Sequence, residues 1–153
     1  MIRMSKLTDY GVILMTCFAR DAARAVRTSR ELSVHARLAP PTVSKLLKQL
    51  ARAELLVSHR GAKGGYRLAR APESVTLKDV ITALEGPIAL SDCTDAEPGR
   101  CRLERRCPVR ANWREINRAV NDALAALTLA DLVPRPPGAA AAPLGATTRG
   151  KHP

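Results

Sequence analysis

Aromatic side chains are almost missing from this chain: one Trp, two Tyr and one Phe, 3% of the residues. Its core must therefore be aliphatic, and 46% hydrophobic content over 153 residues is enough to build one. No apolar run approaches the ~20 residues that cross a bilayer. The opening, MIRMSKLTDYG, lacks the apolar segment of a secretory signal. A cytoplasmic chain is the expectation, and there four cysteines imply no disulfides. Catalytic patterns are missing too. No Ser/His/Asp set, paired carboxylates or nucleotide-binding loop stands out, so an enzyme is not expected.

Acids are scarce in one part only. Residues 1–72 hold 14 Lys/Arg against 4 Asp/Glu, whereas residues 73–133 hold 8 against 10. The last 20 residues add 3 basic groups and no acid, for a net charge of +11. The excess in the first half calls for an acidic polymer, with counterion release driving much of the affinity. Double-stranded DNA fits better than a membrane surface, because the basic face lacks bulky apolar anchors.

That face lies in residues 40–66, PPTVSKLLKQLARAELLVSHRGAKGGY. Val43, Leu46, Leu47 and Leu50 recur at helical spacing as one apolar stripe. Ser44, Lys45, Lys48 and Arg52 then fall on the opposite face, and Pro41 fits the first turn. Residues 56–59, a Gly-rich basic turn at 60–65 and residues 66–68 predict a β-hairpin. An amphipathic basic helix alone could be an ordinary solvated surface; the adjoining basic hairpin narrows the reading to DNA, helix in the major groove and hairpin on phosphates or the minor groove.

Upstream, Thr8-Asp9 opens a first helix with a stripe of Tyr10, Ile13, Leu14 and Cys17, the cysteine packing as a small hydrophobe. Thr28 or Ser29 caps a second helix running to Ala36. Helix, turn, helix, hairpin is the order of a winged helix-turn-helix. His35 and His59 read as surface or hydrogen-bonded side chains within it. Downstream of a boundary at Ala71-Pro72, Thr76 and Asp79 form a capping box before Leu77, Val80, Ile81 and Leu84. Gly86-Pro87 stops that helix. A longer helix from Pro108 to Ala126 carries Trp113, Ile116, Val120, Ala123 and Leu127 at alternating spacings of 3 and 4, a seam for a second copy or for packing on its own domain. The expected fold is mainly α: a winged helix-turn-helix with a small β-hairpin wing, plus a long C-terminal dimerisation helix. The expected division is a DNA-binding head over 1–72, a cysteine-loop sensor and dimerisation region over 73–133, and a disordered Pro/Ala/Gly tail over 134–153.

Cys93, Cys101 and Cys107 lie within fifteen residues, CTDAEPGRCRLERRC. Three thiols in one reduced loop point to a metal centre or a redox switch. Thiolate is the ligand form, and Arg100, Arg102, Arg105, Arg106 and Arg110 supply positive charge around it. Structural zinc favours cysteine pairs closer together than these. An iron–sulfur cluster tolerates the wider spacing but usually takes four protein ligands. Cluster, thiol switch, zinc and unliganded thiols all stay open on spacing alone.

With wing and cysteines in place, the chain resembles the iron–sulfur-sensing winged-helix regulators of the IscR and NsrR type, nearest those controlling SUF-type cluster assembly. The resemblance rests on SKLTDYG at 5–11, SHRGAKGGYRLAR at 58–70, LKDVITALEGPIALSDC at 77–93 and CPVRANW at 107–113. It implies a homodimeric repressor on a double-stranded DNA operator, with a cluster, 2Fe–2S in the expected case, held by Cys93, Cys101 and Cys107. It places Arg60 in the minor groove, Thr42, Ser44 and Lys45 over bases, and Lys48 and Lys63 on phosphates. Where IscR-like members have a ligating histidine, this chain has Arg110, which cannot ligate. Asp9 matches a carboxylate that other members contribute from the partner subunit. A redox- or nitric-oxide-responsive thiol or zinc regulator is the alternative.

Overall fold

Ser5 starts the first helix. Its hydroxyl accepts from the Thr8 amide at 3.2 Å, so α1 spans Lys6–Arg20, two residues earlier than the Thr8-Asp9 start. The structure, a computed structural model, describes residues 4–21, 26–94, 101, 103 and 106–133. The buried stripe of α1 is Thr8, Gly11, Leu14, Met15, Cys17 and Phe18. Of the expected stripe, Leu14 and Cys17 are buried and Tyr10 is half-buried, but Ile13 is exposed. The burial centre is rotated because Gly11 lets another helix approach closely.

Thr28 forms a reciprocal capping box with Glu31 and opens α2, Ser29–Ala36. Arg37 takes a left-handed conformation at the end of α2, and the Ser33 hydroxyl donates to Leu38 O at 2.6 Å. This tight turn leads to α3, Pro40–Arg52, with proline in its first turn. The wing follows as β1, Leu56–His59, and β2, Gly65–Leu68, antiparallel with Leu56 opposite Leu68 and His59 opposite Gly65. Arg27 and Tyr66 exchange both backbone hydrogen bonds, each 2.8 Å, so the approach to α2 adds a one-residue bridge to the wing. Gly65 permits this: a Cβ there would overlap the Arg27 carbonyl oxygen.

A 3-10 turn at Pro72–Ser74 precedes α4, Leu77–Glu85, which carries the expected Thr76–Asp79 capping box. Leu84 of α4 packs directly over Gly11, so a methyl group on Gly11 would displace it. The long helix α5 is Arg110–Ala126, starting two residues later than expected because Pro108 and Val109 remain in a turn. A short α6, Leu129–Leu132, closes with its own Thr128–Asp131 box. Leu77 N donates to Leu127 O at 2.8 Å and Leu129 N to Val75 O at 2.9 Å, so the chain beyond α5 returns to the body. Leu129 is fully buried there, in one cluster with Leu14, Met15, Leu32, Val43, Leu46, Leu47, Leu50, Val75 and Val80. The tail beyond Val133 lies outside the described residues. No described helix is long and apolar enough to cross a membrane.

Candidate nucleic-acid interface and cysteine loop

The four stripe residues of α3, Val43, Leu46, Leu47 and Leu50, are fully buried, and this burial orients the opposite face. Lys45, Lys48 and Arg52 are exposed, while Thr42 and Ser44 are half-buried on the flanks. The wing is fastened to the same body. Leu55 N donates to Leu50 O at 3.0 Å, Ala69 N donates to Leu55 O at 3.1 Å, and Leu55 and Leu56 enter the core. Arg60 and Lys63 are exposed in the turn between the strands. Helix cations and wing cations therefore belong to one packed unit, and a rigid unit presents charge without ordering it anew on binding. His59, also exposed, accepts a hydrogen bond from Arg67 Nε at 2.8 Å. Arg67 was absent from the residues that sequence pattern singled out; its partner follows only from the strand register.

Where the approach to α2 bridges to the wing, Arg27 is 4% exposed, donates to Cys17 O at 3.2 Å and pairs with Asp21. Burial pushes the Cys17 thiol above its usual range, against the pull of the Arg27 and Arg20 guanidiniums. Cys17 is thus a neutral core residue, as its place in the helix stripe suggested.

The other three cysteines are free and half-buried, on the segment between α4 and α5. Two asparagines one turn apart on α5 hold the start of that segment. Leu90 N donates to Asn117 Oδ1 at 3.1 Å, and Asn121 Nδ2 donates to Ile88 O at 3.3 Å. Next, Ser91 and Thr94 close a small turn: Thr94 N and Thr94 Oγ1 both donate to Ser91 O, at 2.9 and 2.8 Å. Cys93 sits in this turn with its sulfur 3.3 Å from Ser91 Oγ. Asn117 and Asn121 were not foreseen, although two asparagines at i and i+4 on an amphipathic helix are the available signal. Residues 95–100, including Arg100, and Arg102 and Arg105 lie outside the described residues.

Asp9 is exposed on the outer face of α1, in its first turn. Among the described residues no three His, Cys, Asp or Glu side chains gather closely enough to hold a metal ion. The donor chemistry nevertheless suits an iron–sulfur cluster: three free thiols, partly open to solvent, on one segment. Within one chain, their assembly would require that segment to draw together.

Glu85, the last residue of α4, joins the two ends of this system. Its carboxylate accepts from Ser5 N at 3.0 Å and from the Thr8 hydroxyl. These donors, Thr8 first, hold its pKa below the usual carboxylate value. An acid at a helix C-terminus opposes the helix dipole, which is the sequence signal that it needed a partner.

The exposed helix and wing, on a body of this topology, define a winged-helix transcriptional regulator. Residues 4–135 match the model of the Rrf2 family, described as an iron-dependent transcriptional regulator, and the chain belongs to that family. It is 33% identical over 135 residues to protein aau3 of Rhizobium meliloti, covering 86% of this chain and 85% of that one. Among solved structures it is similar to CymR, the global cysteine regulator of B. subtilis, at TM-score 0.67 and 29% identity, over 86% of this chain and 96% of that one. IscR of T. potens gives TM-score 0.66 and 26% identity, covering 86% and 85%.

Proposed function

We propose that this Rrf2-family regulator is a homodimeric repressor of iron–sulfur assembly genes that reads cluster supply through Cys93, Cys101 and Cys107. The observation that carries the reading is one chain with two features: the exposed cations of α3 and the wing, and three free, half-buried thiols between α4 and α5. Residues 1–72 act as the DNA-binding head and residues 73–133 as sensor and dimerisation region. Thr42, Ser44 and Lys45 face bases, Lys48 and Lys63 meet phosphates, and Arg60 enters the minor groove.

The open flank of α5 supports a second copy. One flank, with Asn117, Asn121 and Leu124, turns toward its own chain; no residue of the helix is buried, and Trp113 and Ile116 remain 38% and 46% exposed. An apolar flank of this kind is covered at low cost by its own copy. Asp9, exposed on α1, is offered to the partner's cysteines as the fourth ligand. A bound 2Fe–2S cluster would supply a rigid cross-link between these side chains. Asn117 and Asn121 hold the start of the cysteine segment, at Leu90 and Ile88, to α5, so closure of that segment is transmitted to the dimer helix. Two heads on that helix then shift between spacings of different operator affinity.

Iron and acid-labile sulfide in anaerobically purified protein, with its visible spectrum, test the reading. A brown protein whose bands bleach or become labile on Asp9→Ala is the expected result. A coloured, unaffected variant would remove Asp9 alone, and a colourless protein that resists reconstitution would remove the cluster. Similarity to a cysteine regulator and the ungathered thiols favour, as second reading, a thiol-based switch on the same DNA-binding body. Reversible oxidation of a metal-free protein that changes DNA affinity would select it.

A further inference from the structure

Strand register puts Val57, His59 and Arg67 on the hairpin face turned away from the core, since Leu56 and Leu68 face inward. Arg67 stands opposite Val57, yet its Nε donates to Nε2 of His59 at 2.8 Å. That partner lies two register pairs closer to the turn, on the same face of the hairpin. The guanidinium is thereby drawn along the strand toward Arg60 and Lys63. In this bond the guanidinium donates and Nε2 of the His59 ring accepts. The bond uses Nε alone and leaves both terminal nitrogens of the guanidinium free to donate. Among the described residues no carboxylate stands within ion-pair distance of Arg67. The side chain is therefore oriented, charged and unneutralised at the edge of a basic wing.

We propose that Arg67 is a phosphate-contacting residue of the DNA interface and that His59 is its positioning residue. The wing then meets the duplex with three cations, Arg60, Lys63 and Arg67. A guanidinium held by Nε presents its two terminal nitrogens as a fork, which matches two oxygens of one phosphate. Its place on the strand, behind the tip, suits the backbone bordering a groove better than base edges within it. The inference rests on the DNA-binding reading above.

The test uses full-length protein on a random-sequence duplex, with affinity measured against salt concentration for wild type, Arg67→Ala, Arg67→Lys, His59→Ala and the His59→Ala/Arg67→Ala double variant. Each lost phosphate contact, one for every head on the duplex, lowers the slope of log affinity against log salt by about 1 and weakens binding about eightfold near ~0.1 M salt. Arg67→Ala should show both, equally on random duplex and on duplex enriched by selection. Arg67→Lys should keep the slope. His59→Ala should keep the slope, weaken binding about 2–5-fold, and add nothing in the Arg67→Ala background. Both side chains are exposed, so thermal midpoints should match wild type. An unchanged slope in Arg67→Ala, or additive effects of the two substitutions, overturns the inference while DNA binding stands. Wild-type protein with no salt-dependent duplex binding overturns the DNA-binding reading, and the inference with it.

Discussion

The two long helices that matter most to function, α3 and α5, are built in opposite ways. Helix α3 buries Val43, Leu46, Leu47 and Leu50 completely, and α5 buries nothing fully. Both are amphipathic, but one has its partner within the chain and the other keeps an apolar flank open. Under the proposed function the difference separates two jobs. A DNA-reading helix must be held rigidly so that its polar face is preset. A helix that carries a signal between subunits gains from marginal packing, because small changes at its ends can then shift its position. The cysteine segment follows the second pattern: side-chain hydrogen bonds from Asn117 and Asn121 hold it, where the wing is held by core leucines.

The largest effect should come from the body. Leu47→Ala should cost about 2–5 kcal/mol, read as a lower thermal midpoint at fixed protein concentration. A loss under ~1 kcal/mol would mean that the α3 core is looser than its burial implies. Next in size, Ile116→Asp should convert a dimer into monomers in sedimentation while the helical signal persists. A dimer of undiminished strength would place the subunit contact elsewhere.

Glu85 ties the end of α4 to the start of α1, and its pH dependence has a definite sign. Its folded pKa is depressed, so its contribution is complete above the unfolded carboxylate value and fades as pH falls through the folded value. Acid unfolding curves of Glu85→Gln should therefore converge on wild type at low pH and lie below it near neutrality. Curves separated by the same amount at all pH values would deny the carboxylate this role. The smallest effect on stability is expected from Asn121→Ala, about 1 kcal/mol or less. The same variant should bind iron and sulfide less tightly, since the segment leading to Cys93 loses its anchor at Ile88. Unaltered cluster retention would show that the loop needs no support from α5.

Much of the fold was legible in sequence because its signals are local. The α3 stripe, the 56–59 strand and the capping box at Thr76 each announce themselves within a few residues, and each formed where expected. The α1 stripe was misjudged at Ile13 because the rotation depends on Gly11 meeting Leu84, a contact between residues far apart in the chain. Glu85, Asn117 and Arg67 were missed for the same reason: each acts on a residue brought near only by folding. The cysteines were conspicuous by number and spacing, but spacing alone could not say what they hold.

The most direct measurement compares wild type with a Cys93→Ala/Cys101→Ala/Cys107→Ala variant, both purified anaerobically, on a duplex enriched from a random pool by the wild-type protein. The account predicts equal salt slopes on random DNA, because the head is unchanged, and at least a tenfold difference on the enriched duplex, about 1.4 kcal/mol. Equal affinities on the enriched duplex, for a wild-type protein shown to carry iron and sulfide, would contradict the claim that the cysteine segment governs the DNA-binding head.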